Sequence, residues 1–493
     1  MGSVAGLLRM LTPDEMERIH GAALRILEET GMWIDAENAR RYFRQAGCRV
    51  DDASKIVRFP KKVVESAVRR MKKRFTDRSD GEVWSRIRYS RTFYTTQPHR
   101  LHTDFTANTG GFPPFILDLE GCRREATLQD VIDSIRLADA LPNVDMLGLP
   151  CSAQEIPHGE RPIRMTAELL KRTKKIGGIE AWTPRDVEAV AEMCDVVSGS
   201  REASLKQPIV MGYAETRTPL CFDANMSDIF IQYAKLGFPQ SLDCMPCSGF
   251  TAPVTLAGTI ALGLAESLSG LVLGFAVNPE VRLGVVINPS VADMQTMVLP
   301  YASADRITVT AGATQMLHEF YGCPTGMHSG KTDACLPNAQ AGFEKALSSL
   351  FPVLFGAVGI GTLGNMEAGG LTYSPVQLVI DNEIVGYIRR ILRGFEVNDR
   401  TLAVDVIREV GPGGNFIEHA HTADNFKREL HLPAGEIVER FSWQRFENEE
   451  LQGIEARAHA KVKAILAEHD PHPLSREQER EIDRIVGKFL IRR

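Results

Sequence analysis

Short apolar segments of strand length recur along this chain at a regular interval, and this regularity limits the folds open to it. The segments begin 31 to 43 residues apart, and helical patterns fill the intervals between them. A strand followed by a helix at this period is typical of βα units, which build parallel sheets. The seven segments are residues 144–149, 176–182, 209–214, 240–245, 281–288, 324–328 and 358–363.

Seven repeats, with an eighth strand predicted near residues 92–97, favour an α/β fold of the closed (βα)8 type, a TIM barrel. An open, doubly wound sheet is the alternative, although no GxGxxG motif follows the first strand, as a dinucleotide-binding version would require. We place the barrel at residues 91–400. The sequence predicts a helical N-terminal extension over residues 1–90 and a charged, mainly helical region over residues 401–493.

Helix starts are marked by threonine residues. Thr12, Thr127 and Thr183 each precede an acidic residue by three positions, which is the pattern of a capping box. Residues 112–122 contain two prolines and a glycine that punctuate apolar residues, and we interpret them as a hairpin outside the barrel repeat.

Charge and cysteine usage exclude several classes of partner. Lys plus Arg number 57 against 63 Asp plus Glu, a net charge of −6 that gives no electrostatic basis for binding nucleic acid or an anionic membrane. The N-terminus lacks the features of a secretory signal, so we expect a cytoplasmic protein whose nine cysteines are reduced. Residues 255–277 are long enough to cross a bilayer, but Glu266 at their centre favours a helix buried inside the protein.

Polar and aromatic residues follow the predicted strands, and the active site of a (βα)8 barrel forms at that end. His328 is the strongest single candidate, because it ends a strand in the glycine-flanked segment CPTGMHSGKTDA and can donate, accept or bind a carboxylate. A histidine satisfied by a neighbouring carbonyl is the alternative. The other candidates are Tyr94, Gln97, Glu180, Trp182, Tyr213, Glu215, residues 244–250, Asn288, Lys331, Asp333, Asn365 and Glu367.

Cys244 and Cys247 have the CxxC spacing that redox pairs and zinc sites share. No second CxxC or nearby HxH motif completes a ligand set, since His419 and His421 lie far away in the sequence. We therefore expect structural thiols and no metal site, with zinc as the alternative.

Seven sequence blocks, in order along nearly the whole chain, resemble the trimethylamine methyltransferase family. The most distinctive are GFTAPVTLAGTIALGLAESLSGLVLG at 249–274, KTDACLPNAQAGFEKAL at 331–347, LVIDNEIVGYIRRILRG at 378–394 and IREVGPGGNFIEHAHT at 407–422. The resemblance implies a (βα)8 barrel that transfers a methyl group from a methylated amine to cob(I)alamin. It also implies that a separate corrinoid-binding protein supplies the cobalamin, that this chain holds no tightly bound cofactor, and that it forms a homo-oligomer.

The chain departs from the founding branch of that family, which uses pyrrolysine to act on trimethylamine. All its residues are ordinary, and it reads DACLPN at 333–338, where the pyrrolysine is expected. The departure points to the branch without pyrrolysine, whose members act on quaternary amines such as glycine betaine. A quaternary ammonium is permanently charged, so its methyl carbon is already electrophilic and needs mainly positioning.

Aromatic side chains would hold such a cation by their ring quadrupoles, and His328 or Lys331 would hold the carboxylate of a betaine. Two other functions remain open: a Schiff-base lyase or aldolase using Lys331, and a non-catalytic methylamine-binding protein. The predicted catalytic residues are His328, Asn288 and Glu180. The predicted substrate-binding residues are Tyr94, Gln97, Phe105, Trp182, Tyr213, Glu215, Phe250, Lys331 and Asp333.

Overall fold

Short strands alternate with longer helices through the middle of this chain, which gives an α/β fold. The computed structural model describes residues 8–76, 105–323, 326–431, 437–438, 440, 442–448 and 452–490. The helices are α1 Pro13–Arg25, α2 Glu37–Gln45, α3 Lys61–Thr76, α4 Leu128–Ala140, α5 Arg161–Arg172, α6 Pro184–Ser198, α7 Arg201–Lys206, α8 Ala224–Leu236, α9 Leu256–Val277, α10 Ala304–Gln315, α11 Ala339–Leu354, α12 Pro375–Arg393, α13 Asp399–Leu402, α14 Val404–Val410, α15 Ala420–Glu429, α16 Trp443–Asn448, α17 Ile454–Glu468 and α18 Arg476–Leu490.

The strands are much shorter than the helices that separate them. They are β1 Met32–Ile34, β2 Arg49–Asp51, β3 Ile56–Arg58, β4 Thr106–Thr109, β5 Phe115–Leu117, β6 Arg123–Glu125, β7 Met146–Leu147, β8 Gly212–Glu215, β9 Cys221–Phe222, β10 Gln240–Asp243, β11 Cys247–Ser248, β12 Leu283–Val285, β13 Ser290–Val291, β14 Gly326–Met327, β15 Gly359–Ile360, β16 Asn365–Met366 and β17 Thr372–Tyr373.

Two arcs of parallel strands carry the βα repeat. The first arc has the order β14–β15–β4–β7, and Leu147 of β7 also bridges Ile176 in parallel. The second arc has the order β12–β10–β8. The order around the arcs follows the chain, and β15 pairs back onto β4. Among the described residues, backbone pairing joins neither Ile176 to β8 nor β12 to β14, so the hydrogen-bonded ring is interrupted at two places.

Six of the seven predicted strands overlap an observed one, namely β7, β8, β10, β12, β14 and β15. The seventh, residues 176–182, pairs only at Ile176, because Gly177 and Gly178 follow and glycine weakens a strand. Residues 92–97, where we predicted an eighth strand, lie outside the described residues. Instead β4, with the sequence TANT, pairs with both β7 and β15.

The three predicted capping boxes are confirmed at Thr12, Thr127 and Thr183, where each hydroxyl accepts from the amide three residues later. The predicted hairpin is also confirmed, since β5 and β6 pair antiparallel. The N-terminal region contains three strands as well as helices, and its β1 pairs with β9 of the central region. At the other end, α17 packs on α12 and α18 packs on α6.

Helix α9 lies buried inside the protein, as the sequence predicted. It is the one described helix long and apolar enough to cross a membrane, and 89% of its most apolar window is buried. Glycines let it approach the second arc closely: a Cβ on Gly270 would lie 2.4 Å from Leu242 Cβ. Its Glu266 accepts hydrogen bonds from the hydroxyls of Thr216 and Thr218 and from the Leu220 amide, so it fixes the loop after β8.

A buried ion pair joins the loops that follow β14 and β15. Lys345 Nζ lies 2.8 Å from Asp381 Oδ2, and both side chains are at most 2% exposed. Lys345 also donates to the Gly330 carbonyl, and Asp381 accepts from the Gly364 amide. The pair therefore holds α11 and α12 against two neighbouring strand ends.

Replacing Lys345 with methionine should lower the free energy of unfolding by about 3–5 kcal/mol, because it leaves the Asp381 carboxylate buried without its cation. Urea denaturation followed by circular dichroism measures the change. Arg484→Met, which breaks an exposed pair with Glu481, is the control and should change stability little. An equal loss in the two variants would contradict the structural role of the buried pair.

Candidate active site

Three carboxylates lie close together where the second arc ends. Glu215 and Asp243 are opposite each other in the register of β8 and β10, and Glu180 follows the strand segment at Ile176. Burial, with a smaller contribution from Glu215, raises the pKa of Glu180 to about 8. Burial and then Asp243 raise the pKa of Glu215 to about 7. Within the described chain neither Glu180 nor Glu215 pairs with a lysine or arginine, so this acidic side has capacity for a cation.

An aromatic pair is built against these carboxylates. The indole Nε1 of Trp182 donates to Glu180 Oε2 at 3.1 Å, and the ring centroids of Trp182 and His158 are 4.2 Å apart. The Asp186 carboxylate accepts from the Trp182 backbone amide, and this bond fixes the chain as it enters α6. Tyr213 lies half-buried on β8, two residues before Glu215. Aromatic ring faces and carboxyl groups therefore lie side by side, which is a combination that suits a bound cation.

The opposite side of the site is basic. Lys331 is 4% exposed, and its Nζ lies 3.5 Å from the centroid of the Tyr301 ring. Burial, together with the nearby charges of Arg306 and Lys345, lowers the pKa of Lys331 well below its ordinary value. Burial, and to a smaller extent Glu215, raises the pKa of Tyr301, so the Glu215 carboxyl lies within electrostatic range of the ring that contacts Lys331.

Asn288 connects the two arcs where backbone pairing between β12 and β14 is interrupted. Its Nδ2 donates to Asp243 Oδ2 at 2.7 Å, and its Oδ1 accepts from the His328 amide at 3.0 Å. At the last residue of β12, the Cys323 thiol accepts from the Val285 amide and donates to the Val285 carbonyl. Side chains therefore bring the carboxyl ends of the strands of both arcs to one place, which we name the mouth. The mouth consists of Asp243, Asn288, His328 and the loops that follow β8, β10, β12, β14 and β15.

His328 lies in the mouth as a neutral imidazole. Burial and the charges of Lys331 and Arg306 lower its pKa to about 3. Its carbonyl accepts from Arg306, whereas its Nδ1 is buried without a hydrogen-bond partner. At neutral pH the ring can therefore exchange hydrogen bonds with a ligand, but it contributes no positive charge toward a carboxylate.

The remaining predicted residues are not all in the mouth. Asp333 accepts from the amides of Tyr301 and Ala302, so it positions Tyr301. Phe105 is fully buried in the core, and Phe250 is 42% exposed after β11. Tyr94 and Gln97 lie outside the described residues. Glu367, another strand-end candidate, is paired with Arg123.

Four residues in or beside the mouth were missing from the residues we predicted to act on substrate. Tyr301 belongs to the long segment between β13 and α10, and Arg306 lies in the first turn of α10; neither follows a predicted strand end directly, so the strand-end rule could not find them. Asn108 and Asn365 each have a buried Oδ1 without a hydrogen-bond partner. Asn365 was a strand-end candidate, but the polar strand β4 that contains Asn108 gave no apolar signal.

The two CxxC thiols are free and buried. Cys244 donates to the Gly263 carbonyl at 3.2 Å, and burial raises the pKa of both Cys244 and Cys247 above the ordinary value for a thiol. In the part of the chain that the structure describes, no group of three His, Cys, Asp or Glu side chains is arranged to hold a metal ion. The structure therefore provides no support for the zinc alternative.

Comparison with known proteins identifies the family. The sequence model of the trimethylamine methyltransferase family matches residues 4–493. The chain belongs to the trimethylamine methyltransferase family. It is thus a methyltransferase, and family membership argues against the Schiff-base lyase and the non-catalytic binding protein.

Named relatives of this methyltransferase match along nearly their whole length. The glycine betaine methyltransferase of Desulfitobacterium hafniense (strain Y51) is 28% identical over 498 residues, which cover 100% of this chain and 98% of the relative. The trimethylamine methyltransferase MttB of Methanosarcina thermophila is 29% identical over 471 residues, covering 95% and 94%. The crystal structure of the Methanosarcina barkeri monomethylamine methyltransferase matches with a TM-score of 0.43 and 12% identity, covering 99% of this chain and 96% of that one.

Replacing Glu215 with glutamine should lower the pKa of Glu180 from its value of about 8, because a neighbouring negative charge is removed. Trp182 reports this change, since its indole donates to Glu180, and the measurement is tryptophan fluorescence as a function of pH. The transition should be absent in the control Trp182→Phe. An unchanged midpoint in Glu215→Gln would show that the two carboxylates do not interact.

Proposed function

We propose that this methyltransferase demethylates a quaternary amine that also carries an anionic group, such as a betaine, and passes the methyl group to a corrinoid on a partner protein. The division of charge across the mouth carries the proposal. Glu180 and Glu215 lie on one side without a cationic partner among the described residues, and Lys331 lies on the other. A zwitterion satisfies both sides at once.

The acidic side would hold the ammonium group. A permanently charged cation is attracted by the faces of Trp182 and Tyr213 and by ionised Glu180 and Glu215. Its arrival favours the ionised form of both carboxyls, whose pKa values burial has raised. This support is electrostatic, so binding should strengthen as the carboxyls lose their protons.

The basic side would hold the anionic group. A buried lysine with a lowered pKa regains its charge when an anion binds beside it. An anion accepts hydrogen bonds, and the side-chain amide of Asn365 can donate one from its Nδ2. A Cβ on Gly370 would lie 3.1 Å from Tyr301 Cε2 and 3.8 Å from Asn365 Nδ2, so that amide and the ring beneath Lys331 line the same space. His328 Nδ1 offers a further neutral contact.

When bound at the mouth, the corrinoid supplies a strongly nucleophilic cobalt that accepts the methyl group, while the electron pair of the broken N–C bond stays on nitrogen. Exposed apolar side chains around the mouth suit the wide, apolar face of a corrin ring, which supports this fit. The chain's own residues bind and orient the substrate. No proton moves in the transfer, so Glu180 and Glu215 need not act as acid or base. The apolar side chains are Phe250, Met294, Met297, Leu336 and Leu371.

We further propose that the two arcs form one (βα)8 barrel within residues 91–400, flanked by the regions 1–90 and 401–493. The support is that the parallel order follows the chain, that β15 returns to β4, and that Asn288 spans one of the two interruptions. We place the enzyme in the cytoplasm, with a methylated amine and a corrinoid-binding protein as its partners.

Methyl transfer from a betaine to reduced cobalamin under anaerobic conditions should occur with the purified enzyme, and the absorbance change of the corrinoid on methylation measures it. Lys331→Met should raise KM for glycine betaine by about ten- to a hundredfold, the range expected for losing a hydrogen bond to a charged group. With tetramethylammonium, which has no anionic group, the same variant should behave like the wild type. An equal rise in KM for the two substrates would contradict the role of Lys331. No methyl transfer from any quaternary amine would refute the proposed function.

KM for tetramethylammonium, which has no anionic group for Lys331 to hold, should fall as the pH rises from about 6 to 9, because Glu215 and Glu180 ionise with pKa values of about 7 and about 8. Only the ionised carboxylates attract the cation. Steady-state kinetics across this range checks the expectation. The double variant Glu180→Gln, Glu215→Gln should show a higher KM with little pH dependence, and a wild-type KM independent of pH would count against the acidic side as the cation site.

A further inference from the structure

Three neighbouring strands of the first arc end in one layer of residues at the mouth. The register of β14, β15 and β4, continued by one residue, brings together a set that we name the row: His328, Gly361 and Asn108. The residues just before the row on each strand pack in the hydrophobic core, whereas each member of the row is half-buried. Side chains alternate between the two faces of a sheet, so the row faces away from that core. The Leu363 amide donates to the Asn108 carbonyl and holds two of the strands together just beyond the row.

Gly361 leaves a gap in the middle of the row. A Cβ added there would meet a single atom within 4 Å besides its chain neighbours, the Met327 carbonyl oxygen at 3.7 Å. Neighbouring strands lie about 4.8 Å apart, which separates the backbones of His328 and Asn108 by roughly 10 Å. Their side chains therefore stand on either side of a gap that a small group of a ligand can enter.

The two walls of this gap carry polar atoms that the rest of the protein leaves unsatisfied. His328 Nδ1 and Asn108 Oδ1 are both buried, and neither has a hydrogen-bond partner among the described residues. An amide oxygen only accepts, whereas a neutral imidazole donates from one nitrogen and accepts at the other. Because a buried acceptor without a hydrogen bond is costly, the row suits a ligand group that supplies a hydrogen.

A simple betaine cannot supply that hydrogen. Its quaternary nitrogen has no N–H, and its carboxylate only accepts hydrogen bonds at neutral pH. An alcohol both donates and accepts, so one hydroxyl over Gly361 can donate to Asn108 Oδ1 and accept from His328 Nδ1. Lys331 follows His328 by three residues in the same loop, which brings the position proposed for the anionic group close to this gap.

We infer that the substrate is a quaternary zwitterion with a hydroxyl group on the chain that joins its two charges. This inference rests on the proposed function and adds a third contact to the ammonium and anionic groups. Asn108 and Gly361 are then specificity-determining residues: one accepts the hydroxyl hydrogen and the other makes room for the hydroxyl oxygen. An amine that is identical except for the missing hydroxyl leaves the Asn108 acceptor unpaired and is selected against.

Isothermal titration calorimetry of the full chain tests the inference without any methyl transfer. Carnitine and γ-butyrobetaine are the matched probes, since these two zwitterions differ in a single hydroxyl group. One enantiomer of carnitine should bind about ten- to a hundredfold more tightly than γ-butyrobetaine, the range expected when an unpaired buried acceptor gains its hydrogen bond.

Two variants should remove this preference. Asn108→Leu deletes the acceptor with little change in size and should reduce the affinity for carnitine to that for γ-butyrobetaine. Gly361→Ala should do the same by filling the gap, and the fold tolerates it because one atom alone lies near the new Cβ. The matched control is Gly21→Ala on α1, where a Cβ would meet nothing within 4 Å, and it should keep the preference.

Circular dichroism identifies a variant that fails to fold, and the comparison of the two probes on the wild type needs no variant. Equal affinities would overturn the inference and would mean that water alone occupies the gap. Binding of neither probe, or a preference that survives both substitutions, would overturn it as well. Methyl transfer from glycine betaine to cobalamin decides the proposed function separately, so an enzyme that demethylates betaine and ignores the hydroxyl would refute this inference alone.

Discussion

The amide of Asn288 is the interaction on which the mouth depends. Two arcs of parallel strands lack backbone pairing between β12 and β14, and this one side chain contacts Asp243 on one arc and His328 on the other. An amide suits the position because it donates at one atom and accepts at another. A carboxylate there would repel Asp243, and an aliphatic side chain would remove both hydrogen bonds that join the arcs. The alignment of the acidic and basic sides follows from this bridge.

Desolvation sets the chemistry of the mouth. The same burial raises the pKa values of Glu180 and Glu215 and lowers those of His328 and Lys331. Every one of these groups is therefore less charged than it would be in water, and a ligand with complementary charges recovers that cost when it binds. Asp333 and Arg306 hold Tyr301 beneath Lys331 through backbone contacts, which fixes one side of the mouth before the ligand arrives.

The sequence predicted the parts of the fold that burial controls. Strands covered on both faces are continuously apolar, so β8, β10 and β12 could be found, and the strand-end rule then selected Glu180, Trp182, Asn288, His328 and Lys331. The polar strand β4 gave no such signal. Tyr301 and Arg306 could not be found because their position depends on how the long loop before α10 folds back and places the first turn of that helix at the mouth. The assigned roles at the mouth stay predictions.

Helix α12 runs from the mouth to the opposite end of the central strands. At 1.5 Å per residue its 19 residues span roughly 28 Å, with the Lys345–Asp381 pair near its start and Arg389, which donates to the Phe105 carbonyl, near its end. One rigid element is therefore fixed at both ends of the strand layer. A change at the far end of this helix can reach the mouth only through the intervening turns, so the two ends can vary separately.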